Sequence, residues 1–289
     1  MAGLQPFAES RKARIATSLK PSRKGFPRIM AVINCTPDSF YSSSRAETGK
    51  NAIELCIKAL SSGADWIDIG GESTRPGASE VSTEEEIRRV IPVVAGLREA
   101  SPDALISIDT RNVTVAQAAL AAGADLVNDV SGLRDVAMVE LVLNSGCGVC
   151  IMHMQGEPGQ MQEDPEYLDV VLEVSESLLA SAQLLVGRGH PPELICLDPG
   201  IGFGKRLQHN LDLLRNTSPL RGEDDFSVVM GASRKSLFRD LLGREHASQR
   251  LAGTLAVAAF ASDAGIDILR VHDVEEHIDL LKTLEELRR

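Results

Sequence analysis

The 289-residue chain is 43% hydrophobic, 25% charged and 3% aromatic, proportions that exclude a disordered chain, a collagen-like repeat and a disulfide-stapled miniprotein. Thirty Lys and Arg against 41 Asp and Glu leave a net charge of −11, which argues against recognition of nucleic acid through a basic surface. Two domains would fit the length, but an α/β barrel uses about 250 residues as one.

Residues 1–28 hold seven Lys and Arg against one acid, Glu9, so the remainder stands at −17. This basic segment has no apolar stretch of the secretory type and is mildly similar to an organelle transit segment; it reads as a solvated, poorly ordered extension. From residue 29 onward strand-like and helix-like runs alternate. Strands are predicted at 29–34, from 66, at 105–109, from 126, at 148–153, 194–197 and 227–230, and from 267. Helical runs between them cover 51–62, 83–100, 113–122, 136–144, 167–186, 209–215 and 247–264, and a last one covers 274–288. The strand starts average 34 residues apart, room for a strand, a helix and two loops each time. Three junctions share one pattern of Gly, a small residue, Asp and a β-branched or apolar run: Gly63-Ala64-Asp65, Gly123-Ala124-Asp125 and Gly265-Ile266-Asp267. Gly ends a helix without a Cβ clash, and the apolar run suits a strand buried on both faces. Eight such units without hairpin signals predict an α/β fold, a single (β/α)8 TIM barrel over 29–289 with a short basic N-terminal extension. An open doubly wound sheet is the alternative, but the Gly-rich turn expected after its first strand is missing.

No apolar run approaches the roughly 20 residues of a membrane span. Five cysteines, Cys35, Cys56, Cys147, Cys150 and Cys196, cannot all pair, so reduced thiols and a cytoplasmic location are expected. The single Cys147-x-x-Cys150 has no second pair at zinc spacing and reads as buried thiols.

Barrel ligands sit at the C-terminal ends of strands. Those ends carry Asn34, Gly70 to Thr74, Asp109, Asn128, His153 with Met154, Asp198, Ser233 to Lys235, and Arg270 with His272. Oxygens in Asn34-Cys35-Thr36-Pro37-Asp38-Ser39-Phe40 suit a hard cation such as Mg²⁺, although the segment also reads as a Pro turn. An unpaired carboxylate closing an apolar strand is costly, so Asp109 and Asp198 are candidates for a site, with helix capping the alternative for Asp109. Together with the Asn128 amide they match the donor and acceptor edge of a flat aminopyrimidinone. Cations after the seventh and eighth strands suit phosphate; a salt bridge from Arg270 to Asp267 or Asp273 is the alternative for that residue, but it does not explain why the cations gather at one end. Met154 suits either a pocket wall or core filling.

These residues lie in eight motifs: NCTPDSF at 34–40, GGESTRPG at 70–77, SIDT at 107–110, ND at 128–129, MHMQG at 152–156, DPGIGFGK at 198–205, SRKS at 233–236 and RVHD at 270–273. In this order they resemble the dihydropteroate synthase family, whose members join a hydroxymethyl-dihydropterin diphosphate to 4-aminobenzoate in folate synthesis. The resemblance implies a transferase with Mg²⁺ bound through Asn34, and with Thr74, Arg270 and His272 at the phosphates. It implies Asp109, Asn128, Asp198 and Lys235 around the pterin ring, with Arg270 flanking it, and counts Met154 and Val271 among the substrate-binding residues. It further implies loops carrying Asp38, Phe40, Arg75 and Pro76 over the site, with Phe203 and Ser233 near the aminobenzoate, and a homodimer paired through barrel helices. Asp109, Lys235 and Asp38 would carry the catalytic charges. Cys35, Ile201 and the run Tyr41 to Arg45 depart from the family pattern and leave the geometry of the first loop open. A pterin-binding methyltransferase acting on a corrinoid would share the ring-binding acids, but it has no diphosphate for the SRKS and RVHD cations to hold.

Overall fold

The computed structural model describes residues 5–21, 26–36, 45–72, 81–156, 161 and 164–289. Eight parallel strands, β1 (Arg28–Asn34), β2 (Trp66–Gly70), β3 (Leu105–Asp109), β4 (Leu126–Asp129), β5 (Gly148–Met152), β6 (Ile195–Asp198), β7 (Ser227–Met230) and β8 (Ile268–Val271), pair in sequence order, and β8 returns to β1. The barrel is therefore closed, as the regular spacing predicts. The helices are α1 (Glu9–Leu19), α2 (Arg45–Ser61), α3 (Thr83–Ala100), α4 (Val113–Ala122), α5 (Val136–Ser145), α6 (Val170–Gly187), α7 (Leu207–Arg215), α8 (Leu237–Leu242), α9 (Leu251–Ala264) and α10 (Val274–Arg288). Side-chain caps start several of them: Ser82, Asn112, Asp135 and Asp169 each accept a backbone N–H from the first turn of the helix that follows.

The three Gly-small-Asp junctions have one structural job. Each Gly has positive φ (109°, 119° and 70° at Gly63, Gly123 and Gly265), which a side chain would strain. Each Asp then binds one residue of the preceding strand twice. Asp125 donates its N–H to Ile106 O at 2.7 Å and accepts Ile106 N–H on Oδ2 at 2.9 Å. Asp65 does the same with Ile29, and Asp267 with Val228. The motif thus stitches neighbouring strands at the N-terminal rim of the barrel.

The expectation of a poorly ordered extension is corrected. Residues 9–19 form α1, which lies across that same rim with Ile15 and Leu19 buried, and Phe7 is buried just ahead of it. Phe7 N–H donates to Ser145 O at 2.8 Å, and Ser227 Oγ donates to the Leu19 carbonyl. A Cβ on Gly148 would come within 2.9 Å of Ile15, so β5 accepts the helix because it begins with glycine. Burying each of these apolar side chains is worth about 1.5–3 kcal/mol. Two basic residues of α1 are spent on the same joint: Arg11 reaches Asp125 Oδ1 at 2.8 Å and Arg14 at 3.4 Å, while Arg98 from α3 takes Oδ2 at 2.6 Å. Two depressions of about 350 and 530 Å³ flank α1 and contain none of the predicted site residues.

Smaller differences follow from chain chemistry. α2 begins at Arg45, ahead of the expected 51, and the short α8 was not anticipated. α6 is long and apolar enough to cross a membrane by length and composition, unlike the expectation above. It lays Val174, Leu178, Ala182 and Leu185 against the core and carries Glu173 and Glu176, the pattern of a core-facing helix. All five cysteines are free and buried.

Candidate active site

Register at the C-terminal rim builds the site before any side chain is considered. Asn34 pairs with Gly70, Gly70 with Asp109, and Asp109 with Asn128, so one row crosses β1 to β4. Residues in register on adjacent parallel strands face the same way. Gly70 leaves the row open, since a Cβ there would touch Asp109 Cβ at 3.5 Å.

Opposite this row stand Asp198 at the end of β6, Arg270 in β8 and Lys235 after β7. Arg270 donates from Nη2 to Asp109 Oδ2 at 2.5 Å and from Nε to Asp68 Oδ2 at 2.6 Å. Asp68 was not among the predicted residues, and neither Asp267 nor Asp273 is the partner of Arg270. Asp267 binds Arg221, and Asp273 binds Arg234, which takes that arginine away from the central cluster. Asn128 Nδ2 donates to Asp68 Oδ2 at 3.3 Å. Lys235 Nζ donates to the Ile201 carbonyl at 2.7 Å and lies 4.4 Å from the centre of the Phe203 ring. A Cβ on Gly231 would meet Asp198 Oδ2 at 3.4 Å, Lys235 Nζ at 3.5 Å and Arg270 Cδ at 3.9 Å, so these three groups converge on a glycine. Asp198 and Arg270 therefore open onto the same rim.

The surroundings hold these groups in place. Asp198 Oδ1 accepts Gly200 N–H at 2.7 Å, and Gly200 passes so close to the His153 carbonyl that any Cβ would overlap it. Lys205 is buried, with Nζ 3.0 Å from His153 Nδ1 and donating to Phe203 O at 3.0 Å. Ser233 Oγ accepts His272 N–H at 3.2 Å and lies 3.0 Å from His272 Nδ1. Met154 belongs to a small apolar cluster with Val130, Met152 and Met161, and Phe203 packs on it. Val271 lies in the main core, which leaves its backbone as the part able to meet a ligand. Asn34 is half-buried at the end of β1. Asp38, Phe40, Thr74, Arg75 and Pro76 lie outside the described residues.

Burial sets the proton affinities. It lifts Asp109 to about 7 against the pull of Arg270, with Asp68 and Glu86 adding to the rise. Asp198 is also raised, by burial and against Lys235. Lys235 falls to about 8 because burial outweighs the attraction of Asp198. Arg270 is buried too, yet Asp68 and Asp109 hold it charged beyond its ordinary range. The site thus sets cations and carboxylates in a shared, poorly solvated space, where charge–charge interaction is stronger than in water. Asp68 could have been found from sequence: an acid inside the apolar run Trp66-Ile67-Asp68-Ile69 requires a buried partner.

Comparison with known proteins covers the same stretch of chain. The family model described as pterin binding enzyme matches residues 30–272. The chain is 44% identical over 264 residues to a dihydropteroate synthase of Neisseria meningitidis serogroup C, covering 90% of this chain and 93% of that one. It is 39% identical over 259 residues to that of Escherichia coli strain K12, covering 90% and 91%. The solved dihydropteroate synthase of Burkholderia cenocepacia, complexed with 7,8-dihydropteroate, superposes with a TM-score of 0.81 at 40% identity, covering 91% of each chain. That of Xanthomonas albilineans with 4-aminobenzoic acid gives 0.82 at 39%, covering 91% and 93%.

Proposed function

Since the chain belongs to the pterin-binding enzyme family, we infer that it condenses 6-hydroxymethyl-7,8-dihydropterin diphosphate with 4-aminobenzoate, releasing 7,8-dihydropteroate and diphosphate. It is an enzyme, a transferase of the dihydropteroate synthase kind. The observation that carries the reading is the convergence of Asp109, Asn128, Asp198, Lys235 and Arg270 on one rim.

The chemistry asks for two kinds of stabilisation. As the bond to the diphosphate breaks, the pterin ring pushes electrons toward its exocyclic CH₂, which becomes cation-like. Asp109 is the described carboxylate best suited to face that charge, and the same role is proposed for Asp38, outside the described residues. Asn128, Asp198 and Lys235 hold the ring, with Met154 against its face. Arg270, His272, the Val271 backbone and Thr74 take the departing phosphates. One preorganised group of this kind is typically worth about 2.7–4 kcal/mol of barrier. Phe203 and Ser233 are assigned to the aminobenzoate side; the same role is proposed for Arg75, Pro76 and Phe40, which lie outside the described residues. The amine is neutral near pH 7, so its attack on the CH₂ needs no strong general base.

Mg²⁺ fits this donor set. Among the described residues there is no group of three His, Cys, Asp or Glu to cage a metal, and Asn34 offers a hard amide oxygen at the rim. Mg²⁺ prefers few protein oxygens together with phosphate oxygens and water. Held by Asn34 and the diphosphate, it would neutralise charge on the leaving group.

A homodimer is the proposed assembly, supported by α9, whose sequence is apolar on nearly all sides while Phe260 stays 44% exposed. On the neighbouring α8, Leu241 and Leu242 are 49% and 48% exposed. Five free thiols support a cytoplasmic location.

The deciding experiment mixes the protein with the pterin diphosphate, 4-aminobenzoate and Mg²⁺ and follows dihydropteroate by chromatography. Product is expected with the wild type and lost on chelation, while Lys235→Ala loses roughly 10²–10³-fold in kcat with its melting curve intact. Product formation indifferent to chelator removes Asn34 from its role, and a fully active Lys235→Ala removes the site reading.

A further inference from the structure

Asn128 and Arg270 share a partner that no motif reading singled out. Asp68 sits in β2 between Ile67 and Ile69 with no exposure to solvent. Its Oδ2 accepts Arg270 Nε at 2.6 Å and Asn128 Nδ2 at 3.3 Å, and its Oδ1 is buried without a protein partner among the described residues. Neutralising Arg270 does not account for it, because Asp109 already supplies a carboxylate to the same guanidinium at 2.5 Å. A second buried carboxylate adds desolvation cost, so what it contributes must lie elsewhere.

What Asp68 does beyond Asp109 is bind the Asn128 amide. An amide can turn either its NH₂ or its oxygen toward a neighbour, whereas an ionised carboxylate only accepts. Beside Asp68, Asn128 must direct Nδ2 toward β2 and its oxygen the other way. We propose that Asp68 is a positioning residue that sets the amide orientation of Asn128, so that the site presents an acceptor to an N–H or amino edge of the pterin and disfavours heterocycles carrying an acceptor there. This rests on the reading of Asn128 as a ring-binding residue. The salt bridge to Arg270 fixes Asp68 in turn, which makes the ring-reading amide and the phosphate-facing cation two arms of one buried carboxylate.

The test uses the full chain with pterin diphosphate and 4-aminobenzoate as varied substrates. Asp68→Asn keeps the side-chain size but removes the obligatory acceptor, so the amide is free to turn. The KM for the pterin is expected to rise roughly tenfold to a hundredfold while the KM for 4-aminobenzoate stays unchanged. The reciprocal pair Asp68→Asn with Asn128→Asp restores a hydrogen bond of reversed polarity and still offers an oxygen to the ring; it is expected to recover most of the loss. An unchanged pterin KM in Asp68→Asn, alongside a raised one in Asn128→Ala, overturns the proposal alone. Unchanged values in both overturn the ring-binding reading itself. Equal rises in both KM values with no recovery in the reciprocal pair mean a merely structural role and also overturn it. Should melting curves show Asp68→Asn to be unfolded, the reciprocal pair decides: folded protein with wild-type pterin KM supports the proposal, and folded protein without pterin binding overturns it.

Discussion

The two rims of this barrel use the same residue for opposite purposes. At the N-terminal rim, Asp65, Asp125 and Asp267 each accept a backbone N–H from the neighbouring strand at 2.8–2.9 Å. Toward the C-terminal rim, Asp109 at a strand end and Asp68 two residues deeper in β2 accept from the ends of side chains, Arg270 and Asn128. A carboxylate bound to a strand's own N–H can move only if the sheet opens, so it serves the fold. One bound to a guanidinium or an amide can exchange that partner for a ligand at little cost to the backbone. Proximity to charge does not separate the two sets, because Asp125 has three arginines around it and Asp109 one. What separates Asp68 and Asp109 from the lower set is the strand N–H that each lower-rim Asp accepts besides any arginine; among the described hydrogen bonds Asp68 and Asp109 accept only from side chains.

Breaking the lower rim should produce the largest change. Asp125→Ala leaves Arg11, Arg14 and Arg98 without their common carboxylate and orphans the Ile106 N–H. Removing one member of such a buried set costs about 3–5 kcal/mol, an effect to be read from denaturant midpoints. The fraction still folded should keep wild-type kcat; loss of turnover without loss of stability would contradict the division of labour.

The upper rim should respond to pH instead. Active enzyme needs Asp109 ionised and Lys235 charged, so kcat/KM is expected to rise through about 7 and fall above about 8. Asp109→Asn should remove the acidic limb along with most activity. Linkage gives a second reading. Because the folded pKa of Asp109 is raised, its contribution to stability is fully present below the ordinary carboxylate range and is lost as the pH rises through about 7. Melting temperatures of wild type and Asp109→Asn should therefore diverge in favour of the variant between pH 5 and pH 8, and parallel curves would sink this account. The smallest effect belongs to the α1 joint. Ile15→Val removes one buried methylene against Gly148 and should cost about 0.5–1.5 kcal/mol, with both KM values unchanged.

Much of this was legible in the chain. The strands announced themselves because each is a short apolar run closed by a polar group, and the Gly-small-Asp repeat marked three of their starts. Asn34, Asp109, Asn128 and Asp198 were found because strand ends are where barrels hold ligands, and the register then aligned three of the four. Two things were hidden. In α1 the apolar pair Ile15 and Leu19, one turn apart, is outnumbered by charges, and the two arginines among them find their shared partner, Asp125, more than a hundred residues along the chain. Asp68 lies inside a strand, so a search of strand ends passes over it.

The seat of α1 also decides from which side the molecule can be handled. With Phe7 N–H bonded to Ser145 O and the Leu19 carbonyl to Ser227, Phe7 itself is anchored on the face away from Asp109. A surface linker, dye or fusion partner joined ahead of Phe7 would therefore hang beneath the molecule, and immobilised enzyme would keep its mouth turned to the solution.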